Sequence, residues 1–528
     1  MSAIDIDEIL AYEPPNKRKR AAEANGVEGG VLGATAPVAS AEELMKALES
    51  AEDDEPLDET GVKQLILAFE KCVLKNQEMR IKFPDQPRRF LESESDLNQA
   101  IQELHAIAAM PSLYGLLTEL KAVDSLMQLL SHENTDISVA VVDLLQELTD
   151  MDTLEESEEG AKSLIDALSS AQIVGLLVQN MERLDENKKD EADGVHNSLA
   201  VVENVIDFNP AVISVCTEQG LLTWLLRRVR QKGPFDGNKL YTSEILSVLL
   251  QQSEETGKAL GEKDGIDVLL QALATYKRHD PGSADEREFM ENLFDSLCAS
   301  LMYVRNRAKF LEGEGLQLMN LMLRERKDSR ASALKVLDYA TTGTHGRDNC
   351  NKFVEILGLR TLFPLFMRTP SRNKRKGHSA NEHEEHVCAV IASLLRSCSA
   401  PNRARILAKF VEQDHLKVDR LIELHIRYRD RVHRHDLRTR SSLRPQEDDE
   451  KYLSRLDGGL FTLQLVDLIL ADVCANGAAS VSERCNKLLT MKNSGLHEVK
   501  SVLSEYESNL GEDATIERER VRDLVNKL

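Results

Sequence analysis

The chain of 528 residues carries 66 Lys and Arg against 89 Asp and Glu, a formal net charge of −23, with 42% hydrophobic but only 4% aromatic residues. This apolar content excludes a wholly disordered chain, and the scarcity of aromatics favours a Leu/Val/Ala-rich helical protein over a β-sandwich or barrel. The acidic balance argues against nonspecific binding of polyanions by the whole molecule and favours basic partners.

Composition also restricts the compartment. The longest apolar runs reach about a dozen residues, whereas a helix that spans a bilayer needs ~20, so no membrane segment is predicted. The first ten residues carry three acids and no basic residue, unlike a secretory signal. Eight scattered Cys without a C-x-x-C pair indicate reduced thiols in the cytosol or nucleus.

Residues 1–55 are predicted to form a disordered acidic tail. Residues 1–60 hold 15 acids and five bases, together with a Gly/Ala-rich stretch and little apolar density. Within the tail four consecutive cations follow two prolines: Lys17, Arg18, Lys19 and Arg20. Such a run on an extended segment suits a nuclear-localisation signal bound by an import receptor, and the alternative is a solvated charge cluster. Because it is the one basic patch in this tail, we predict localisation to the nucleus.

From residue 56 onward the pattern predicts an all-α protein. Apolar residues at helical spacing form one stripe in Ile137, Val141, Leu144, Leu145 and Leu148. No segment shows the alternation of a strand between hairpin turns. Residues 56–110 are interpreted as an N-terminal helical cap.

A repeated unit is the most informative feature of the sequence. A turn followed by a Leu-rich helix recurs as KAVDSLMQLL, SAQIVGLLVQNM, EQGLLTWLLRRV, KDGIDVLLQAL, GEGLQLMNLML and ILGLRTLFPLFM. The turns lie roughly 43 to 50 residues apart, near the ~40–47 of armadillo and HEAT units. They fall near Ala122, Ala171, Gly220, Gly265, Gly315 and Gly358.

Glycine at four of these turns predicts a left-handed helix end there, and three helices per unit favour armadillo over HEAT. We therefore predict an armadillo-type solenoid over residues 111–400, in which each unit buries its apolar face against its neighbours. Residues 401–528 are predicted to form a C-terminal helical cap, with a polar, Arg-rich loop near 433–447.

Searches for catalytic and metal-binding patterns find no G-x-x-x-x-G-K-[ST], G-x-S-x-G or H-E-x-x-H. The one metal-like cluster is His378, His383, His386 and Cys388, but two further ligands at suitable spacing are not evident. We interpret it as the polar first turn of a helix whose stripe is buried. The sequence predicts neither an enzyme nor a bound cofactor or metal.

Four carboxylates form the candidate partner-binding site. The segments SVAVVDLLQEL and SLAVVENVIDF align, so Asp143 matches Glu203 and Glu147 matches Asp207. Each pair is spaced i, i+4 on a helix face away from the apolar stripe. If these are the last helices of armadillo units, the acids form a ladder for Lys/Arg peptides; the alternative is an ordinary solvated face.

Long runs of sequence resemble a known family. They are PLDETGVKQLILAFEK, KNQEMRIKFPDQP, VAVVDLLQELTD, DEADGVHNSLAVVEN, MENLFDSLC, GEGLQLMNLMLRE and ILGLRTLFPLFM. The chain resembles the nuclear beta-catenin-like armadillo protein family, which is associated with the spliceosome. The resemblance runs from Pro56 to about Arg396 and more loosely to the C-terminus.

The resemblance implies a non-catalytic scaffold or adaptor of the pre-mRNA splicing machinery. Its implied partners are splicing proteins of the nineteen complex, including the Myb-like subunit, and basic localisation-type segments of such proteins. The run Lys17–Arg20 matches the family's N-terminal import signal.

Two other functions stay open at the level of sequence. A karyopherin-like import adaptor would carry repeated Trp-x-x-x-Asn pairs, whereas Trp224 is the single Trp and Arg228 stands four positions on. Direct RNA binding through the Arg-rich C-terminal region would need stacking aromatics, and only Tyr428 lies near that stretch.

Overall fold

The computed structural model describes residues 58–369, 379–440, 448–512 and 514–528. Over these residues the chain is helical and contains no strand, which confirms the all-α prediction. The predicted tail, 1–55, and the basic run within it lie outside the described residues.

The helices follow one another in triplets, each with a first, a second and a third helix. Before the triplets lie Glu59–Lys82 and Leu91–Leu104; after them come Ala479–Met491, Leu496–Ser508 and Thr515–Lys527. The triplets are Tyr114–Glu119, Ala122–Leu129, Thr135–Leu148; Glu158–Ser170, Ile173–Arg183, Lys189–Phe208; Ile213–Glu218, Leu221–Arg230, Gly237–Gln252; Glu254–Glu262, Gly265–Leu273, Ala284–Ser300; Val304–Glu312, Gly315–Glu325, Arg330–Thr341; Arg347–Glu355, Leu359–Met367, Ala380–Ser397; and Ala400–Val411, Leu416–Arg440, Phe461–Asn476.

Third helices of successive triplets pack side by side along the whole array. We call this stack the inner layer; it consists of Thr135–Leu148, Lys189–Phe208, Gly237–Gln252, Ala284–Ser300, Arg330–Thr341 and Ala380–Ser397. Each member packs against the one before and the one after, as expected for a helical-repeat solenoid. The armadillo-type fold is thereby confirmed.

Local sequence signals set where inner-layer helices begin. The side chain of Asn134 accepts a hydrogen bond from the backbone N–H of Asp136, and Asp236 caps its helix through the N–H of Lys239. Ser379 forms a full capping box with Glu382. The predicted stripe from Ile137 to Leu148 is buried, so the periodicity assigned the core face correctly.

The turns between first and second helices differ from the prediction. A left-handed residue does precede the second helix in each of the first six triplets, but it is glycine only at Gly220; elsewhere it is Lys121, Gln172, Asp264, Glu314 or Leu357. The prediction of left-handed glycine at Gly265, Gly315 and Gly358 is wrong, because these residues carry no positive φ.

Glycine is required at these three positions by close packing instead. A Cβ placed on Gly315 would lie 2.2 Å from the Phe310 ring, and one on Gly358 would lie 2.5 Å from the Phe353 ring. Both rings are fully buried at the end of a first helix. The glycine thus lets the second helix cross close above an aromatic core side chain.

The triplet pattern continues beyond residue 400, where the sequence pattern fades. Ala400–Val411, Leu416–Arg440 and Phe461–Asn476 stack on the preceding triplet as a further unit, and the last three helices follow it. By length and composition alone one described helix, Asp449–Asn476, could cross a membrane, and two bent helix pairs also pass that test. In the fold 78% of its apolar window is buried among other helices, and it holds the fully buried Asp467.

The predicted Arg-rich loop is wrong over residues 433–440. These residues form the end of the 25-residue helix Leu416–Arg440; residues 441–447 lie outside the described part. Within this stretch the helix contacts the following helix Asp448–Arg455: Arg455 pairs with Asp436, and His435 lies 3.0 Å from Ser454. A count of like charges along the sequence does not reveal these partners.

A buried histidine–aspartate pair joins this helix to the inner face of its triplet. Nδ1 of His425 lies 2.5 Å from Oδ1 of Asp467, and both side chains are fully buried. Nε2 of His425 lies 4.0 Å from Glu498, and Arg429 is the nearby cation. Burial lowers the pKa of His425, but the charge and hydrogen bond of Asp467 outweigh it, so the pKa is raised overall.

We expect this pair to make stability depend on pH. Because the folded pKa of His425 is raised, its stabilisation is complete below the usual His pKa near 6.5 and is lost as pH rises through the folded value. Asp467→Asn should therefore cost about 2 kcal/mol at pH 6 and less at pH 8.5, measured by urea unfolding. The matched variant Asp430→Asn, on an exposed residue of the same helix, should show no such trend. Parallel pH curves for wild type and Asp467→Asn would contradict this assignment.

Candidate functional site

The four predicted acids lie on two adjacent inner-layer helices. Asp143 and Glu147 are on Thr135–Leu148, and Glu203 and Asp207 are on Lys189–Phe208. These two helices pack against each other, so the structure brings both pairs onto one surface. Asp143 and Glu203 are half-buried, whereas Glu147 and Asp207 are exposed.

The half-buried pair links neighbouring repeats. Asn197 donates a hydrogen bond of 2.7 Å to Asp143, and the Tyr241 hydroxyl donates one of 2.5 Å to Glu203. Burial raises the pKa of Asp143, and the nearby negative charges of Asp193 and Glu147 act in the same direction. Asp143 and Glu203 therefore hold the layer together as well as adding negative charge to it.

The other pair, Glu147 and Asp207, is exposed to solvent. The Glu147 side chain is 53% exposed, and its carboxylate lies 2.7 Å from Nδ1 of His105. Asp207 lies at the last turn of its helix, where it adds to the negative potential around Tyr241 together with Glu203 and Glu244. A Lys or Arg from a partner can approach Glu147 and Asp207 without disturbing the core.

The same arrangement continues along the inner layer, where the sequence analysis had not located it. Lys335 donates to Asp295 at 2.7 Å, and His386 lies 3.0 Å from Asp338. Nearly every junction between third helices thus includes a carboxylate that bonds to the next repeat. Aligning the sequences of the first two repeats does not reveal these contacts, because the residue that bonds to the carboxylate is Asn, Tyr, Lys or His in different repeats.

A cavity of about 790 Å³ opens on the middle of the layer. Two carboxylates, Glu254 and Asp295, and two phenols, Tyr303 and Tyr339, line it. Lys335 also lines the cavity and pairs with Asp295 at 2.7 Å, and Lys258 pairs with Glu254 at 2.7 Å, so both carboxylates already have a cationic partner. Sequence reasoning missed these residues because the three helices that carry them are far apart in the chain.

A second cavity, of about 380 Å³, adjoins the first, since Met302 and Tyr339 line both. It is more apolar and includes Phe461, which is 42% exposed, and Leu465. Glu517 and Arg520 of the last helix form part of its wall. The inner layer therefore changes from a mainly acidic surface to a mixed apolar surface towards the C-terminus.

Charge along the inner layer is one-sided. The six helices that define it contain eighteen Asp and Glu but six Lys and Arg. Several of these acids are hydrogen-bonded between repeats, whereas Glu147 and Asp207 are among those exposed to solvent. The inner-layer helices therefore carry an excess of negative charge.

Other sequence candidates have ordinary structural roles. Trp224 is 5% exposed and packs in the second helix Leu221–Arg230, not in an inner-layer helix. His383 and His386 contact Leu365 and Asp338 respectively; among the described residues no group of three potential metal ligands occurs, and His378 lies outside them. Tyr428 is 1% exposed and bonds to Glu384, so it offers no face for stacking on a base.

Comparison with known proteins identifies the family of the chain. The family model described as catenin-beta-like, Arm-motif containing nuclear matches residues 39–504. The chain belongs to this family. Beta-catenin-like protein 1 of Homo sapiens is 56% identical over 467 residues, covering 87% of this chain and 83% of the relative.

A more distant relative and a solved structure extend the comparison. The Beta-catenin-like protein 1 homolog of Schizosaccharomyces pombe is 32% identical over 480 residues, covering 90% of this chain and 83% of the relative. A crystallised engineered protein is 14% identical with a TM-score of 0.43, over 82% of this chain and 95% of that chain. Membership of the catenin-beta-like family confirms the resemblance found in the sequence, the armadillo repeats and the nuclear location.

Proposed function

We propose that this chain is a non-catalytic nuclear adaptor whose inner layer binds basic, localisation-signal-like segments of splicing proteins. The observation that carries the proposal is the row of inner-layer carboxylates, of which Glu147 and Asp207 are exposed on adjacent helices. Its partners would be proteins of the nineteen complex, including the Myb-like subunit. An import receptor would bind its own run Lys17–Arg20.

The spacing of the layer suggests how such a segment would lie. Packed helices are about 8–10 Å apart, and an extended chain rises about 3.3 Å per residue. Cations at every second or third position of an extended peptide would therefore meet successive helices. Each exposed ion pair contributes only about 0–1 kcal/mol, so affinity depends on several pairs together.

We expect charge reversal at the exposed acids to weaken binding of a labelled Lys/Arg-rich peptide. Glu147→Lys with Asp207→Lys replaces two attractions by repulsions, which should reduce affinity about tenfold or more at low salt. Fluorescence anisotropy of the full chain measures it, with a salt titration.

A matched control keeps the net charge change but moves it off the layer. Asp166→Lys with Glu262→Lys alters two exposed acids on first helices, outside the inner layer. Equal loss of affinity in both double variants would show that the effect comes from net charge alone. Unchanged affinity in the folded Glu147/Asp207 variant would refute the proposed site. We leave Asp143 and Glu203 intact because their hydrogen bonds join repeats.

The two alternatives have less support. Trp224 is buried in a second helix, so an importin-like row of inner-layer Trp residues is not formed in the described part of the chain. The arginines Arg427 and Arg429 are engaged by carboxylates, and Tyr428 is buried, which weakens the case for an RNA-binding surface there.

A further inference from the structure

A third pocket lies at the N-terminal ends of the inner-layer helices Gly237–Gln252 and Ala284–Ser300 and carries an excess of positive charge. The end of Leu221–Arg230, the loop 231–236 and the helices Gly265–Leu273 and Ala284–Ser300 enclose about 490 Å³. We call it the basic–aromatic pocket; its lining includes Arg230, Lys232, Phe235, Lys239, Tyr276 and Phe289.

Its wall is aromatic. The rings of Phe235 and Phe289 lie 5.9 Å apart between centroids and are tilted by 56°. Phe289 is fully packed at 4% exposure, whereas Phe235 comes from the loop and is half-buried. Val268 and Ala272 complete an apolar floor that can receive one aromatic or large aliphatic side chain.

Three cations border this wall. Arg230 and Lys232 are exposed and have no carboxylate partner among the described residues. Lys239 donates to the carbonyl of Gln231 at 2.9 Å, with its Nζ 6.0 Å from the centre of the Phe289 ring. Burial lowers the pKa of Lys239, and the nearby charge of Arg228 acts in the same direction.

These cations differ from their neighbours on the same helix. Arg227 pairs with Glu182 at 2.6 Å, and Arg228 is held by Glu186 and Asp236. The one carboxylate among the described lining residues, Glu286, accepts from the Tyr276 hydroxyl and from the N–H of Gly282. The pocket therefore has positive charge that its own acids do not neutralise, in a chain of net charge −23.

We propose that the basic–aromatic pocket binds an acidic peptide segment of a partner protein, with an aromatic or large aliphatic side chain beside its carboxylates. The apolar side chain enters between Phe235 and Phe289, and the flanking carboxylates pair with Arg230, Lys232 and Lys239. Ion pairs between the peptide carboxylates and Arg230, and burial of the peptide's apolar side chain against the two Phe rings, make the pocket specific for such a segment. The site is distinct from the proposed peptide-binding surface around Glu147 and Asp207, because the two surfaces select ligands of opposite charge.

A short acidic peptide fits these observations better than a nucleic acid. A polyanion needs a continuous track of cations along several phosphates. Here the three cations lie beside Glu286 and the acid-paired Arg228, and the surrounding chain is strongly acidic. The pocket neutralises a few carboxylates but offers no such track.

The test is fluorescence anisotropy of the full chain with the fluorescein-labelled peptide Gly-Asp-Glu-Phe-Asp-Glu-Gly. Arg230→Glu with Lys232→Glu should weaken binding at least tenfold, and the milder Arg230→Gln with Lys232→Gln should weaken it severalfold. Replacing the peptide's Phe by Ala, or Phe235 by Ala in the protein, should also weaken binding severalfold. The control Arg405→Glu with Lys487→Glu, two exposed residues of C-terminal helices, should bind within twofold of wild type.

Three results would overturn the proposal: affinity unchanged in the folded Gln variant, equal loss in the Arg405/Lys487 control, or tighter binding of a single-stranded RNA heptamer. An excess of unlabelled Lys/Arg-rich peptide separates the two sites. It should not displace the acidic peptide, and loss of Lys/Arg-peptide binding in the Glu147/Asp207 variant should leave acidic-peptide binding intact.

Discussion

Replacing Glu384 by Gln should destabilise the C-terminal part of the solenoid by about 3–5 kcal/mol. Glu384 is 4% exposed and accepts hydrogen bonds from Thr369, Arg420 and Tyr428, and from Arg427 at 2.6 Å. Arg420 is itself 8% exposed, so the neutral amide leaves a buried guanidinium with too little negative charge. Denaturant unfolding and hydrogen exchange of Leu416–Arg440 measure the effect, because a repeat array can lose one part before the rest.

The matched control is Glu423, a second carboxylate that pairs with the same two arginines. Glu423 contacts Arg420 and Arg427 at 2.9 and 2.7 Å, but its side chain is 55% exposed. Glu423→Gln should therefore cost no more than about 1 kcal/mol. Similar losses in the two variants would show that burial of Glu384 is not the source of its effect.

Lowering the pH should also destabilise the fold through Glu384. Burial raises the pKa of Glu384, but hydrogen bonds from Thr369 and Tyr428 and the charge of Arg427 outweigh it, so the pKa is lowered overall. Its stabilisation is present above the ordinary Glu pKa and is lost as pH falls through the folded value.

Gly315→Ala should destabilise the fold by about 1–3 kcal/mol, the usual cost of overpacking a core. The added Cβ would lie 2.2 Å from the ring of Phe310, which is fully buried, so the ring or the helix must shift. The φ of Gly315 is not positive, so steric overlap and not backbone strain causes the loss. The midpoint of urea unfolding measures it.

The same substitution at Gly115 is the matched control. Gly115 lies in the helix Tyr114–Glu119, and nothing lies within 4 Å of a Cβ there. Gly115→Ala should leave stability unchanged or raise it by up to about 1 kcal/mol, because alanine favours helix. If Gly115→Ala destabilised the fold by as much as Gly315→Ala, the effect at Gly315 would come from the loss of glycine and not from overlap with Phe310.

Much of the fold was predictable from sequence because each repeat carries its own helical period. The stripe from Ile137 to Leu148 assigned both the helix and its buried face, and the structure confirms both. The Arg-rich segment after residue 433 was assigned wrongly, because its helix packs against Ser454 and Arg455 of a later helix, across the intervening residues 441–447. Local patterns do not carry such contacts.

The candidate site was predicted in part. Alignment of two repeats found Asp143, Glu147, Glu203 and Asp207, and the structure places all four on one surface. It did not separate the exposed acids from those bonded to Asn197 and Tyr241, and it missed Glu254 and Asp295 of the central cavity. Whether a carboxylate is available to a partner depends on what the next repeat presents to it.

The sequence by itself determined the helical class, the repeat length and the family of this protein, because periodicity and long matching segments are properties of contiguous residues. Only the tertiary structure decided why glycine stands at Gly315 and Gly358, where the array continues past residue 400, and which charges remain unpaired. The physical reason is the same in each case. A packed aromatic ring, a stacked helix or a neutralising carboxylate acts through space, and its position follows from how successive repeats pack.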